Sequence, residues 1–279
     1  MNGRECAKST PAWSEHPIWR KIGLAFGLAA LLLIYVPILW LILMSFSGDP
    51  LSGFPGDFTV RWYANLGESR NWLQPLVVSL ALATGVSIVS MLCSTIVGRT
   101  VARMRRKGMA AAVLAVTLLP LAIPGVIIGT ALFLYFRVLL GFKMGIWSLC
   151  IGHFVWAFPF ALLAVLVVAL RFDIRLLDAA ADLGADPLER FRSVEFPLLK
   201  DGIIAGGLFS FLLSFNEIAR SIYLRGRIET LPLYVWQQAS SHRSNVVLIY
   251  PLNVLILLGS TLVVVFAFRR LFGKNTAVK

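Results

Sequence analysis

Charge is what this sequence has least of. Asp, Glu, Lys and Arg make up 14% of its 279 residues, whereas apolar residues make up 58%. A domain dissolved in water needs about 25% charged residues to cover its surface. The shortage excludes an ordinary soluble enzyme and a disordered chain, and it places the protein in a lipid bilayer. Acid is scarcer than base, with 14 Asp and Glu against 26 Lys and Arg. The net charge of +12 does not call for nucleic acid, because basic loops on the inner face of a membrane protein account for it. Of the three cysteines, Cys93 and Cys150 lie within apolar runs, so neither a disulfide framework nor a CxxC metal site is available. The HExxH, GxSxG and GxxxxGK(S/T) patterns are missing too, which leaves a catalytic reading without residues and gives no reason to expect a metal or cofactor.

What is present is long apolar sequence. Six runs are long enough to cross a hydrocarbon core of roughly 30 Å: Leu24 to Phe46, Pro75 to Gly98, Met109 to Phe136, Ile146 to Leu170, Gly202 to Ile222 and Val246 to Phe268. The first follows basic residues as a signal peptide would. At 23 residues it exceeds a signal h-region, and no small-residue cleavage site follows Ser45, so it is expected to stay as a span. Six spans put both termini on one side. With the N-terminus inside, eighteen basic residues fall on the inner tails and loops and eight on the outer, which orients both ends to the cytoplasm. The expected fold is an all-α, multi-pass membrane protein. Cytoplasmic tails at 1–23 and 269–279 flank a six-helix transmembrane domain at 24–268, within which 171–201 is a cytoplasmic loop.

Two spans carry small residues at helical spacing: Ser79, Ala83, Ser87, Ser90 and Ser94 in the second, and Gly206, Ser210 and Ser214 in the fifth. Such stripes let a neighbouring backbone approach closely. Pro120, Pro124, Gly125 and Gly129 should kink the third span.

The loop at 171–201 is unlike the rest of the chain. It holds seven of the 14 acidic residues against five basic ones. Leu176, Ala180 and Leu183 form an apolar stripe on a short helix that Gly184 can end at C′, while Asp186, Pro187 and Glu189 suit N-cap, N1 and N3 of a second helix that Pro197 should stop. An interfacial anchor, a plug on the bundle and a docking element for a soluble partner all fit such a helix pair. An anchor needs a basic polar face. The acidic balance favours docking.

Asp178-Ala179-Ala180, Gly184, and then Val194, Phe196 and Pro197 resemble the EAA loop of ABC importer permeases, in order, spacing and place between the fourth and fifth spans. Asp178 stands where the family pattern has Glu, and Phe196 where it has Leu. His153, Pro159, Ser214 to Glu217, and Thr230 to Leu233 with Trp236 are similar to the second permease of spermidine/putrescine systems. The resemblance implies a type I, MetI-like importer permease that hydrolyses nothing itself. It also implies a second homologous permease, two ATP-binding subunits docked on the EAA loop, and an external solute-binding protein.

Ionisable residues in membrane spans are costly and default to functional candidates. Ser210, Ser214, Glu217 and Ser221 share one face at helical spacing, and with Asn216 they suit a pathway for a cationic or hydroxylated solute. Glu217 and Arg220 lie three apart and equally suit a local ion pair. His153 reads as a hydrogen-bonded packing residue. The competing function is a secondary transporter or channel, for which an inverted repeat is expected and none is visible.

Overall fold

The structure is a computed structural model that describes residues 17–240 and 246–272. Most of the two expected tails lies outside the described residues. Among the described residues the regular structure is all helical, with one isolated β-bridge between Ser47 and Phe58 in a connecting loop. The helices are α1 (Pro17–Ser45), α2 (Arg61–Ser69), α3 (Leu73–Ala102), α4 (Lys107–Ala122), α5 (Gly125–Phe133), α6 (Ile146–Ala169), α7 (Arg175–Asp182), α8 (Pro187–Arg190), α9 (Phe196–Phe215), α10 (Ser221–Leu224), α11 (Leu231–Ala239) and α12 (Ile249–Phe272). π-Helical turns at Leu134–Leu139 and Phe191–Glu195 extend α5 and join α8 to α9.

Five stretches are long and apolar enough to cross a membrane: Lys21–Ser45, Leu73–Ala102, Ile146–Ala169, Pro187–Phe215 and Ile249–Phe266. The third expected span is no single helix. Its two halves, α4 and α5, meet at an angle of 99°, and counting the pair as one broken span brings the number to six. The cause is local: Ile123 is extended (φ −99°, ψ 129°) in front of Pro124. Proline's ring disfavours helical backbone in the residue before it, and proline has no N–H to continue the ladder.

The fifth span also differs from expectation. Pro197 does not stop the preceding helix, because the Phe191–Glu195 turn lets the Phe196 N–H reach the Phe191 carbonyl, five residues back, and the chain runs on into α9. Such a π-turn absorbs the register that proline disrupts. At its far end the helix terminates at Phe215 instead of Ile222. Asn216 caps it, donating from Nδ2 to the Leu212 carbonyl at 2.9 Å, and helical geometry resumes only at Ser221.

The chain divides into two compact units, one made of the residues up to Glu68 with Val246–Ile256, the other of Ser69–Asn245 with the chain from Leu257. In the first, α1 exposes apolar residues all round (Phe26 74%, Leu33 79%), as a helix facing lipid does. Its end is pinned where Ser45 Oγ and Tyr63 Oη hydrogen-bond at 2.8 Å and Phe46 stacks against Phe58 and Tyr63.

In the second unit α3, α6 and α9 pack on one another through the small-residue stripes. Ser79, Ala83, Ser87, Ser90 and Ser94 are all buried. Ser87 Oγ donates to the Gly207 carbonyl at 2.7 Å, and a Cβ on Gly206 would stand 3.0 Å from the Ala161 carbonyl oxygen. Without apolar solvation to drive helices together in lipid, this close packing and these hydrogen bonds hold them.

Beyond α10 the chain turns sharply at Gly226 (φ +59°), where an added Cβ would overlap the Met144 carbonyl. A buried hydrogen bond from Ser148 Oγ to the Leu224 carbonyl, 2.7 Å, fastens the same turn to the start of α6. Gly226→Ala therefore combines left-handed strain with a backbone clash, and is expected to cost about 2 kcal/mol or more. Membrane abundance and the thermal midpoint in mild detergent, both lower than for Ser240→Ala, are the measurements.

Candidate functional site

The expected coupling residues lie at the end of α6, α3 and α9 where Ala169, Ala102 and Leu199 come together. Helix α7 ends as the sequence requires. Leu183 is its C-cap, Gly184 sits at φ +85°, the Gly184 N–H bonds the Ala181 carbonyl (2.9 Å) and the Ala185 N–H reaches back to Ala180 (3.0 Å). This paired closure is a Schellman turn, which favours glycine at C′. Asp186 then caps α8, its Oδ1 accepting from the Leu188 and Glu189 N–H groups at 2.8 Å each, with Pro187 at N1.

Of the expected coupling residues, Asp178, Ala179, Gly184, Phe196 and Pro197 are exposed, and Ala180 and Val194 are half-buried. They form a surface and do not close into a cluster. Among the described residues, none beyond its chain neighbours lies within 4 Å of a Cβ built on Gly184, so its turn is open on the outside. The stripe of Leu176 and Leu183 also faces outward, Leu183 being 89% exposed and Leu188 58%, while Leu177 turns in and is buried.

One residue that sequence reasoning passed over fixes this surface. Glu195, at the unspecified position between Val194 and Phe196, is 2% exposed. Its Oε1 accepts from Arg99 Nε at 2.7 Å, its Oε2 pairs with Arg99 Nη2 at 2.6 Å, and Arg103 completes the clamp. The Arg99 guanidinium also lies 4.4 Å above the Phe191 ring. Arg99 in the last turn of α3 and Arg103 at its C-cap thus hold the start of α9, and with it the 171–201 loop, by charge-assisted bonds. The available signal was two arginines four apart at the end of a span, with a carboxylate heading another.

At the opposite end of α6 lies the second group of expected residues. Ser210 and Ser214 are buried on α9, Asn216 is exposed at its cap, and Glu217 (6% exposed) lies in the break beyond it. The shared helical face is therefore interrupted, and Glu217 arrives by a turn. Its Oε1 accepts the Arg220 backbone N–H at 2.8 Å and its Oε2 the Arg220 Nη1 at 2.9 Å. Arg220, 2% exposed, lies 4.6 Å from the Trp156 ring, and a Cβ on Gly125 would stand 2.9 Å from its Nη1.

His153 bridges the break. Its Nδ1 is 2.9 Å from Ser214 Oγ and its Nε2 2.8 Å from Ser221 Oγ. Ser221 Oγ also lies 3.1 Å from the Glu217 carbonyl oxygen, so the histidine, the serine and the break are joined in one hydrogen-bonded group. A packing role for His153 is what this geometry provides. Among the described residues no group of His, Cys, Asp or Glu is placed to hold a metal ion.

Residues 94–276 match the family described as binding-protein-dependent transport system inner membrane component. The chain belongs to this family. Its relatives include the spermidine/putrescine transport system permease protein PotC of Escherichia coli, 31% identical over 210 residues that cover 73% of this chain and 76% of the relative. The putrescine transport system permease protein PotI of the same organism is 27% identical, covering 78% and 79%. A PotC homolog of Mycoplasma genitalium is 26% identical, covering 71% and 74%. As a binding-protein-dependent inner membrane component, the protein has the MetI-like all-α fold and is a multi-pass permease of an ABC import system.

Proposed function

We propose that this permease carries a polyamine or a related organic cation, and that it takes its driving force from ATP-binding subunits docked on α7 and α8. Two such subunits, a second permease completing the pathway and an external solute-binding protein make up the assembly. The termini and the coupling loop face the cytoplasm in this reading, as the basic residues imply.

The observation that carries the docking reading is the outward apolar pair Leu183 and Leu188 on a capped, net acidic helix pair clamped to α3 through Glu195. An acidic surface is repelled by an anionic bilayer face, and a rigid apolar knob suits a groove on a protein. The solute class is supported by the names of the relatives, which are spermidine and putrescine permeases. It is also supported by Asn216, whose exposed amide spends its Nδ2 on Leu212 and keeps Oδ1 for an ammonium donor. Ser210, Ser214 and Glu217 lie behind it as the buried wall of the route.

Leu183→Asp tests the docking. The side chain is exposed, so membrane abundance should be unchanged, while copurification of the ATP-binding subunit and uptake should both fall about tenfold or more, as loss of an apolar anchor at a protein interface does. Full copurification with full uptake would remove α7 and α8 from the coupling role.

A further inference from the structure

Between the end of α5, the entry to α6 and the turn after α10 lies a cavity of about 830 Å³. Its lining holds four cationic side chains, Arg137, Lys143, Arg225 and Arg227, and no carboxylate. Arg225 is held by the Gln237 amide, oriented so that its oxygen accepts from the guanidinium at 2.6 Å while its nitrogen donates to Glu229. Arg137, Lys143 and Arg227 are exposed and make no ion pair among the described residues. The walls are rigid, since the Gly226 turn abuts the Met144 carbonyl and Ser148 ties Leu224 to α6. Like charges gathered around one cavity repel, and an anion bound among them relieves that repulsion.

The position of the cavity says which anion. Tyr135, Phe136, Phe142 and Trp147, chain neighbours of the lining residues Arg137 and Lys143, cluster with ring centroids 5.0–6.0 Å apart, and Trp147 Nε1 donates to the Lys143 carbonyl at 3.0 Å. Tyr and Trp gather where the bilayer meets water. Beside them Val138, Leu139 and Leu140 are exposed and apolar, a surface suited to acyl chains. The cavity is at the α6 end remote from Glu195, about 36 Å away along its 24 residues. A polyamine would be repelled here, so the cavity is no part of the solute route.

We propose that this cavity binds the phosphate headgroup of an anionic phospholipid in the leaflet opposite the coupling loop, with Arg137, Lys143 and Arg227 as its ligands and the acyl chains lying along Val138 to Leu140. Basic pockets at the headgroup level of transmembrane helices recognise anionic lipid through this charge pairing. The reading needs only that the chain spans a membrane, and it stands whatever the solute.

The test is photolabelling of the full transporter in nanodiscs containing a photoreactive phosphatidylglycerol, or a photoreactive phosphatidylcholine with the same reactive chain, with labelled peptides mapped by mass spectrometry. Peptides spanning 133–147 and 222–228 should take up about threefold or more label from the phosphatidylglycerol, as expected for charge pairing with three basic groups. The triple change Arg137→Gln, Lys143→Gln, Arg227→Gln should abolish that excess, while the excess on the Arg99 to Lys107 peptides remains as the internal standard of a folded, lipid-embedded chain. Arg137→Lys with Arg227→Lys should keep it. Equal labelling by the two headgroups, or an undiminished excess in the triple variant, overturns the proposal. Loss of the excess in millimolar inorganic phosphate would assign the cavity to a free anion, and displacement of the label by the solute-binding protein would assign it to an acidic protein surface. Either result overturns the lipid.

Discussion

Glu195→Gln should release the 171–201 loop from α3. The carboxylate is almost fully buried, whereas its partners Arg99 and Arg103 have side chains 28% and 34% exposed. Water therefore softens the loss of the pair, and the expected cost is about 2 kcal/mol, below the range for a fully buried ion pair. The loss is local to the π-turn that carries Phe191, whose ring lies under the Arg99 guanidinium, and this is the turn on which α8 is mounted. The thermal midpoint in mild detergent should fall, and the ATP-binding subunit should be retained poorly at membrane abundances still close to normal. Changing all three residues, Glu195→Leu with Arg99→Leu and Arg103→Leu, should recover part of the midpoint, because an ion cluster replaced whole by apolar side chains leaves no charge stranded. It should not recover ATPase retention, because the loop is no longer aimed. An unchanged midpoint together with unchanged retention for Glu195→Gln would show that the clamp holds nothing.

What sequence made legible here was whatever depends on near neighbours. The small-residue stripe of α3, the Gly184 closure of α7 and the Asp186 cap of α8 follow from spacing over three to six residues, and each stands where that spacing requires. The apolar runs likewise located the spans, although the resemblance and not the runs supplied the meaning of 171–201. Three features were not legible, each for a physical reason. Prolines announced a kink in the third span, and Pro124 supplies it, but the close approach of Gly125 and Gly129 to Arg220 and Tyr223, nearly a hundred residues away, is not written in local spacing. Hydropathy carried the fifth span through to Ile222, since a window average does not notice one Asn, one Glu and one Arg among Phe, Leu and Ile. Glu195 was invisible because its partners are 96 and 92 residues distant. The reading that placed Ser210, Ser214, Glu217 and Ser221 on one helix face assumed an unbroken helix. His153 restores the alignment across the break by bonding a serine on each side of it.

The largest loss is expected from Glu217→Gln. Arg220 is buried with its Nε and Nη2 unbonded to any described group, so Glu217 and the face of Trp156 are what hold its charge. Removing the carboxylate strands a guanidinium in the membrane interior at a cost of about 3 kcal/mol or more. Arg220→Gln is milder, because the stranded carboxylate keeps the backbone N–H of residue 220 at Oε1. The double change should recover most of the loss, since it leaves no net charge buried, and the coupling energy of the cycle measures the pair. Membrane abundance gives that cycle, and uptake per molecule of permease gives a second, independent one. If the pair only braces the wall behind Asn216, uptake per molecule stays near normal in the double variant and follows abundance in the singles. If the carboxylate also attracts a passing cation, uptake of a polyamine per molecule falls in Glu217→Gln and in the double variant alike, and is spared in Arg220→Gln, where the carboxylate is freed. Because Oε1 and Oε2 are both engaged by Arg220, the bracing outcome is the expected one. A double variant with normal abundance and about tenfold lower uptake per molecule, equivalent to 1.4 kcal/mol of lost attraction, would place Glu217 on the route itself.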